Sequence, residues 1–331
     1  YCSTPGDFGA FEKKVRCHLE QGFTKPTLRK AVTSFEGIKA AAHFLALLAD
    51  RTISFPARWI GRGLKISMSR EGWPMRPAFH RSASRTTILR RVFDDVFAGA
   101  SLDSIRSDRP RLIVIACELR AKAAFYFTKE KLHCWRYGSA SSAGVRLSDA
   151  VAASAAYPLL LPAIDTTLEF EKDGAIQKER VTLTDGGVYD NLGLMPLWPG
   201  RDHSISLQVG PVGRIIACRA GYSLDVGEPA ATIIPRMKAT FESVFARAEN
   251  AATKRLFDLQ EAGKIPGFIL PYLGQNDRSL KFPAADLVSA ESVAGYPTNF
   301  DAMTEDWIDR LVLRGEQMVS ALVQEHWADY K

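Results

Sequence analysis

The segment with the clearest chemical potential is the tract Thr184-Asp-Gly-Gly-Val-Tyr-Asp-Asn-Leu-Gly193. A short apolar strand precedes Asp185, and Gly186 and Gly187 follow it without a Cβ atom. Paired glycines permit positive φ and close backbone approach, so this turn can present Asp185 to a cleft without blocking it. A carboxylate placed there can orient or deprotonate a nucleophile, or bind a metal ion. The alternative is an Asx turn, with Asp190 and Asn191 as further turn formers.

Elements that could position this tract lie on both sides of it. Residues 111–117 form a continuous apolar run, typical of a strand covered on both faces, and residues 124–128 can pair with it. Residues 148–157 indicate a helix of mostly small residues that Pro158 ends. Ser154 on this helix is interpreted as a small residue that permits close helix–sheet packing, with a catalytic role as the less favoured alternative.

The remaining pattern predicts one α/β domain over residues 1–331, with helices flanking a central sheet. Residues 1–90 read as a helical region rich in basic and aromatic residues, and residues 91–331 carry the sheet, the Asp-Gly-Gly tract and the C-terminal helices. Further strands are expected at 181–184 and 204–209, and helices at 11–21, 35–49, 88–97, 239–262 and 304–330. Prolines and glycines predict irregular structure over 52–85.

The order of several motifs resembles the patatin-like phospholipase family. The chain has a small-residue helix ending in Ser154-Ala-Ala-Tyr-Pro158, then the apolar segment 159–164, then the Asp-Gly-Gly tract. Other stretches similar to that family are 112–117 followed by 125–128, 191–196, and 297–300 leading into 311–324. The resemblance covers most of residues 90–331.

This resemblance implies a three-layer α/β sandwich with a central, mostly parallel sheet. It also implies a lipid acyl hydrolase of the phospholipase A or esterase type that uses a Ser–Asp dyad, with Asp185 as the dyad carboxylate and no cofactor. Gly186, Gly187, Asp190 and Asn191 would support the turn. Candidates to line an acyl-chain channel are Tyr157, Pro158, Leu159 and Leu160, although a leucine run is more often core.

The chain departs from the family pattern in one important respect. It contains no Gly-x-Ser-x-Gly nucleophile elbow and no glycine-rich oxyanion loop; the nearest tract, Gly138-Ser-Ala-Ser-Ser-Ala-Gly144, has the wrong spacing. Because the sequence starts at Tyr1 rather than methionine, we expect a domain truncated before or at its N-terminal side, inactive alone, with an open groove or sheet edge beside Asp185. Alternatives are a catalytically silent membrane-binding or interaction module and a neutral-lipid or lysolipid esterase.

Charge is distributed unevenly along the 331 residues. The net charge of +6 arises from +13 in residues 1–150 and −7 in residues 151–331, and residues 51–91 hold ten Lys or Arg against the single acid Glu71. This stretch mixes basic and aromatic residues, which suits an anionic membrane surface or a nucleic acid. No nucleic-acid recognition motif accompanies it, so a membrane is favoured. The candidate interface residues are Arg58, Trp59, Arg62, Trp73, Arg76 and Arg81.

The number and spacing of the cysteines bear on the cellular compartment of the protein and on whether it binds a metal ion. The five cysteines are dispersed, and no Cys-x-x-Cys pair or Cys/His cluster occurs, so no metal is expected. Reduced thiols of this kind predict a cytoplasmic protein, here one bound peripherally to membranes. Secretion stays open because the first residue is not methionine.

Overall fold

The computed structural model describes residues 1–2, 6–63, 83–158, 160–202, 206–219, 232–297, 299–327 and 329, with the backbone alone at 50–63 and 233–234. Nine α-helices lie in this part of the chain. They are α1 (Phe8–Gln21), α2 (Thr24–Thr33), α3 (Phe35–Gly63), α4 (Arg85–Val96), α5 (Leu147–Ser154), α6 (Gly187–Asp190), α7 (Ile233–Glu261), α8 (Ala290–Val293) and α9 (Glu305–His326). The predicted helices at 11–21, 35–49, 88–97, 148–157, 239–262 and 304–330 all correspond to one of these.

Eight strands lie in the same described ranges. They are β1 (Val114–Glu118), β2 (Ala123–Phe127), β3 (Leu132–Cys134), β4 (Gly138–Ala140), β5 (Ile164–Lys172), β6 (Ala175–Asp185), β7 (Arg214–Ile216) and β8 (Gly267–Ile269). Strands β1 to β6 pair antiparallel in sequence order, and β1 also pairs with β6, so this sheet closes into a barrel. Strands β7 and β8 form a separate parallel pair.

The fold class was therefore correct only as a mixture of helices and strands, and the expected central, mostly parallel sheet is wrong. Tight connections explain the difference, because a short hairpin can join only antiparallel strands. Strands β5 and β6 are joined by Asp173 and Gly174, both at positive φ (53° and 78°), which is the backbone of a type I′ hairpin turn. The links from β1 to β2, from β2 to β3 and from β3 to β4 are also short, with four, four and three residues, whereas α5 lies in the longer connection from β4 to β5.

Two local predictions also need correction. Irregular structure was expected over 52–85, but helix α3 continues through Pro56 to Gly63; residues 64–82 lie outside the described residues. Proline removes one backbone donor, but the helical backbone persists on both sides of it. The strand expected at 204–209 is not formed in its described part, 206–209. There Val209 N–H donates to the Pro196 carbonyl, so this segment bonds to a turn instead of a sheet.

Two hydrophobic cores carry the site. In the first, α5 packs its small residues against the closed sheet, where Phe125, Phe170 and Val181 are fully buried. In the second, α7 packs Leu256 and Leu259 against the β7–β8 pair.

Among the described residues no single helix is long and apolar enough to cross a bilayer. Helix α2 and residues Phe35–Ala49 of α3 meet the length and composition criteria for a membrane span only when taken together, and the two are bent by 80°.

Candidate functional site

Asp185 is the last residue of β6 and is held from two sides. It pairs with Ala116 of β1, and its own backbone N–H donates to the Ala156 carbonyl at 3.1 Å. The next N–H, that of Gly186, donates to the Ser154 carbonyl at 3.2 Å, so the end of α5 fixes the backbone at the point where the strand becomes a turn. Thr184 Oγ1 also donates to the Ala156 carbonyl, at 2.8 Å.

The two glycines are needed for close approach and not for positive φ. Gly186 has right-handed helical angles (φ −62°, ψ −31°), but a Cβ atom there would lie 2.2 Å from the Ile115 carbonyl oxygen. A Cβ atom on Gly187 would lie 2.7 Å from Asn191 Oδ1 and 2.9 Å from Asp185 Oδ1. Any other residue type would therefore push the turn away from β1 or fill the space beside the carboxylate.

Only one oxygen of Asp185 is committed to the protein. Its Oδ1 accepts a hydrogen bond from the Gly187 N–H at 2.7 Å, and among the described residues no donor reaches Oδ2. Burial raises the pKa of Asp185 above its ordinary value, and the Gly187 hydrogen bond opposes that rise only in part. The carboxylate is thus a stronger base than one in water.

Asp190 and Asn191 make contacts within and beyond the turn. The buried Asp190 carboxylate accepts from the N–H groups of Leu194 and Met195, at 3.1 and 2.8 Å, and burial is the main reason that its pKa is raised. Asn191 Nδ2 donates to Glu249 of α7 at 3.1 Å. Glu249 also forms an ion pair with Arg219.

An open groove of about 860 Å³ lies beside Asp185. One wall is the run 111–115, which enters β1, and the other is the turn after Asp185. Strand β6 pairs with β1 only from Ala116 onward, so Val114 and Ile115 have β2 on one side and the groove on the other. The sequence predicted an open groove next to this carboxylate, and the structure has one.

Ser154 lines this groove, although the sequence favoured a packing role for it over a catalytic one. It lines the groove together with Asp185, and its Oγ lies 3.4 Å from where a Cβ atom on Gly186 would be. Its helix therefore contributes both a backbone carbonyl and a hydroxyl to the turn. Close helix–sheet packing, the role inferred from the sequence, is consistent with this position.

The residues expected to line an acyl channel lie outside the groove wall or outside the described residues. Tyr157 packs against Phe241 and Phe245 of α7, with ring centroids 6.3 and 6.4 Å away. Burial raises the pKa of Tyr157. Pro158 is half-buried and Leu160 is exposed, and neither lines the groove; Leu159 lies outside the described residues. The lining role stays a prediction.

Sequence reasoning missed the α7 side of the site. Phe245 sits 3.0 Å from a Cβ position on Gly187, and Glu249, one turn further along the helix, holds Asn191. No local sequence motif predicts that Phe245 and Glu249 contact the Asp-Gly-Gly tract, because they lie more than 50 residues beyond it.

The basic and aromatic candidates fall largely outside the described side chains. Arg58, Trp59 and Arg62 lie on the described backbone of α3, whereas Trp73, Arg76 and Arg81 lie outside the described residues. Within the described part of the chain, no group of three or more His, Cys, Asp or Glu side chains is arranged to hold a metal ion.

A strand-end carboxylate beside a glycine turn and an open groove, in a fold of mixed helices and strands, defines an α/β protein with a candidate site at Asp185. A model of the patatin-like phospholipase family matches residues 28–198, more than half of the chain, and the chain belongs to that family. The match includes the Asp-Gly-Gly tract. It begins well before residue 90 and stops before the C-terminal motif at 297–300. No match to a curated protein was found.

Proposed function

We propose that this chain supplies the catalytic carboxylate of a lipid acyl hydrolase, and that Asp185 is that carboxylate. Membership of the patatin-like family supports lipid acyl hydrolysis in general. The observation that carries the residue assignment is the environment of Asp185: a half-buried carboxylate with a raised pKa that lines the groove, with one of its oxygens held by the Gly187 N–H.

The chemistry follows from that geometry. Asp185 takes the proton of a serine hydroxyl as the serine oxygen attacks the acyl carbonyl, and the alcohol of the lipid leaves with a proton. Water then attacks the acyl-enzyme, with Asp185 as the base, and releases the fatty acid and the free serine. A raised pKa favours both transfers because a base works best when its pKa is near the operating pH.

The serine is expected outside these 331 residues, because no Gly-x-Ser-x-Gly elbow occurs among them. Without the nucleophile no acyl-enzyme forms, and each missing oxyanion donor costs about 3 to 4 kcal/mol of transition-state stabilisation. We therefore propose that the isolated chain is inactive, and that the intact protein acts on phospholipids or related acyl lipids while bound peripherally to an anionic membrane. A neutral-lipid or lysolipid substrate is the competing choice on the same scaffold.

A fluorophosphonate probe tests where the nucleophile lies. The isolated chain should not be labelled, and it should release no fatty acid from phospholipid vesicles. The sharp control is Ser154→Ala, because Ser154 is the serine that shares the groove with Asp185. Labelling that disappears in Ser154→Ala would place the nucleophile inside this chain and overturn the proposal of an outside serine.

One sequence feature favours a second candidate, a catalytically silent module that keeps the fold. That feature is again the missing elbow. Fatty-acid release by the intact protein that contains residues 1–331 separates the two: turnover that depends on a serine and on Asp185 supports the hydrolase, and binding of lipid vesicles without turnover supports the silent module.

A further inference from the structure

Helices α2 and α3 are attached to the rest of the protein through polar groups. Lys30 Nζ of α2 lies 2.9 Å from Asp95 Oδ2, and Arg91 Nη2 of α4 lies 3.7 Å from Glu36 Oε2 of α3. Glu36 is buried, with only 5% of its surface exposed. Two charged side chains of the helix pair, Lys30 and Glu36, thus lie toward α4, where a water-soluble pair would place mainly apolar residues.

The large apolar side chains of the same two helices face solvent. We call them the α2–α3 apolar face, and its members are Leu28, Val32, Phe35, Ile38, Phe44 and Leu45. Val32 and Phe35 are 83% and 75% exposed. Leu28 and Val32 are one helical turn apart, and Phe35, Ile38 and Leu45 follow a helical stripe, so the face is continuous along each helix. A contiguous apolar patch of this kind marks an interaction site.

We propose that the α2–α3 apolar face inserts into the headgroup layer of an anionic bilayer. The choice of an anionic surface comes from charge: residues 24–63 contain seven Lys or Arg and two acids, and one of those acids, Glu36, is turned inward. Lys25 and Arg29 are exposed on α2 beside the apolar face. A basic helix with a strong apolar side is the pattern of interfacial membrane binding. The choice of a bilayer over a protein partner rests on the proposed function, since a lipid substrate resides in a bilayer.

The geometry fits a pair that lies on the surface. Helix α2 has ten residues, about 15 Å, which is half of the roughly 30 Å hydrocarbon thickness. The two helices bend by 80° where they meet, and Gly37 allows this, because a Cβ atom there would lie 1.9 Å from the Ala31 carbonyl oxygen. Among the described residues neither helix alone is long and apolar enough to span a bilayer, which fits burial of their apolar side chains at the depth of the headgroup layer.

The face is connected to the candidate active site by packed helices. Phe23, just before α2, contacts Phe93 of α4 with ring centroids 5.6 Å apart. Helix α4 packs on α5, where Leu89, Phe93 and Ala152 share one apolar cluster. The end of α5 in turn holds the backbone of Asp185. Docking at α2 and α3 would thus fix the orientation of the groove relative to the membrane.

Vesicle co-flotation of the chain tests this proposal. We expect binding to vesicles of phosphatidylcholine with phosphatidylglycerol, weaker binding to phosphatidylcholine alone, and a decrease as salt rises. Ile38→Asp should lower the partition coefficient at least about tenfold, because it places a charge on the inserted face. The matched control is Ile176→Asp, on an isoleucine 75% exposed on β6, which should bind like the unaltered chain.

Two outcomes would overturn the proposal. One is equal vesicle binding by Ile38→Asp and Ile176→Asp, provided that circular dichroism shows both folded. The other is a chain that binds no vesicles but self-associates in sedimentation through a contact that Ile38→Asp abolishes, which would make the face a protein–protein surface. Asp185→Asn should bind vesicles normally, so failure of membrane docking and failure of the proposed hydrolase function can be told apart.

Discussion

Gly186→Ala is the substitution whose consequence the structure defines most sharply. The added methyl would lie 2.2 Å from the Ile115 carbonyl oxygen and 3.0 Å from the Ile115 carbonyl carbon. Since non-bonded heavy atoms rarely approach within about 3 Å, the turn and β1 must separate by about 1 Å. Both neighbours are backbone atoms, so no side-chain rotation relieves the clash.

The cost can be built from the bonds at the turn. Overpacking in a tight site costs about 1 to 3 kcal/mol. A shift of this size also strains the hydrogen bonds from Gly186 to Ser154 and from Asp185 to Ala156, each worth about 0.5 to 1.5 kcal/mol. We therefore expect Gly186→Ala to lower the free energy of unfolding by roughly 2 to 5 kcal/mol.

Urea denaturation followed by circular dichroism measures this loss. The matched control is Gly315→Ala, within α9, where an added Cβ meets nothing within 4 Å. It should be neutral or stabilising by up to about 1 kcal/mol, because alanine is the better helix former. A free energy of unfolding for Gly186→Ala within about 0.5 kcal/mol of the unaltered protein would refute the claim that close approach explains this glycine.

Two further predictions concern buried titratable groups. Asp190→Ala should lower the free energy of unfolding by about 1 to 3 kcal/mol in urea denaturation, because the N–H groups of Leu194 and Met195 lose their acceptor; an unchanged midpoint would contradict this. Burial lowers the pKa of His133 to about 4, so the folded protein binds fewer protons than the unfolded chain between that value and about 6.5. Stability should consequently fall as the pH decreases through this window, and His133→Phe should flatten that part of the thermal-melting profile; identical profiles would argue against a buried neutral imidazole.

Most of the longer helices and the turn at the Asp-Gly-Gly tract could be predicted because their signals are local. A 3.6-residue apolar period marks α4, α7 and α9, and the Asp-Gly-Gly tract identifies Asp185 without knowledge of the fold. The role given to Gly186 was only half correct, since its φ is ordinary and its close approach to β1 is visible only in three dimensions.

The sheet was harder to predict, for physical reasons. The hairpin of β5 and β6 has an Asp173-Gly174 turn, but the first half of β6 is solvent-exposed and polar, so no apolar run drew attention to it. The expectation of a parallel sheet came from the family resemblance, whereas the short hairpin connections, such as that between β5 and β6, impose antiparallel pairing. Partners such as Phe245 depend on tertiary packing and leave no local signal.

The central claim, that Asp185 is the base of a lipid acyl hydrolase, is tested most directly by fatty-acid release from phospholipid vesicles by the full-length protein. Asp185→Asn keeps the shape of the side chain and removes the base, so kcat should fall at least about 100-fold. The matched control, Asp173→Asn, makes the same change in an exposed hairpin turn where asparagine also accepts positive φ, and it should leave kcat unchanged. Turnover by Asp185→Asn equal to that of Asp173→Asn would contradict the account.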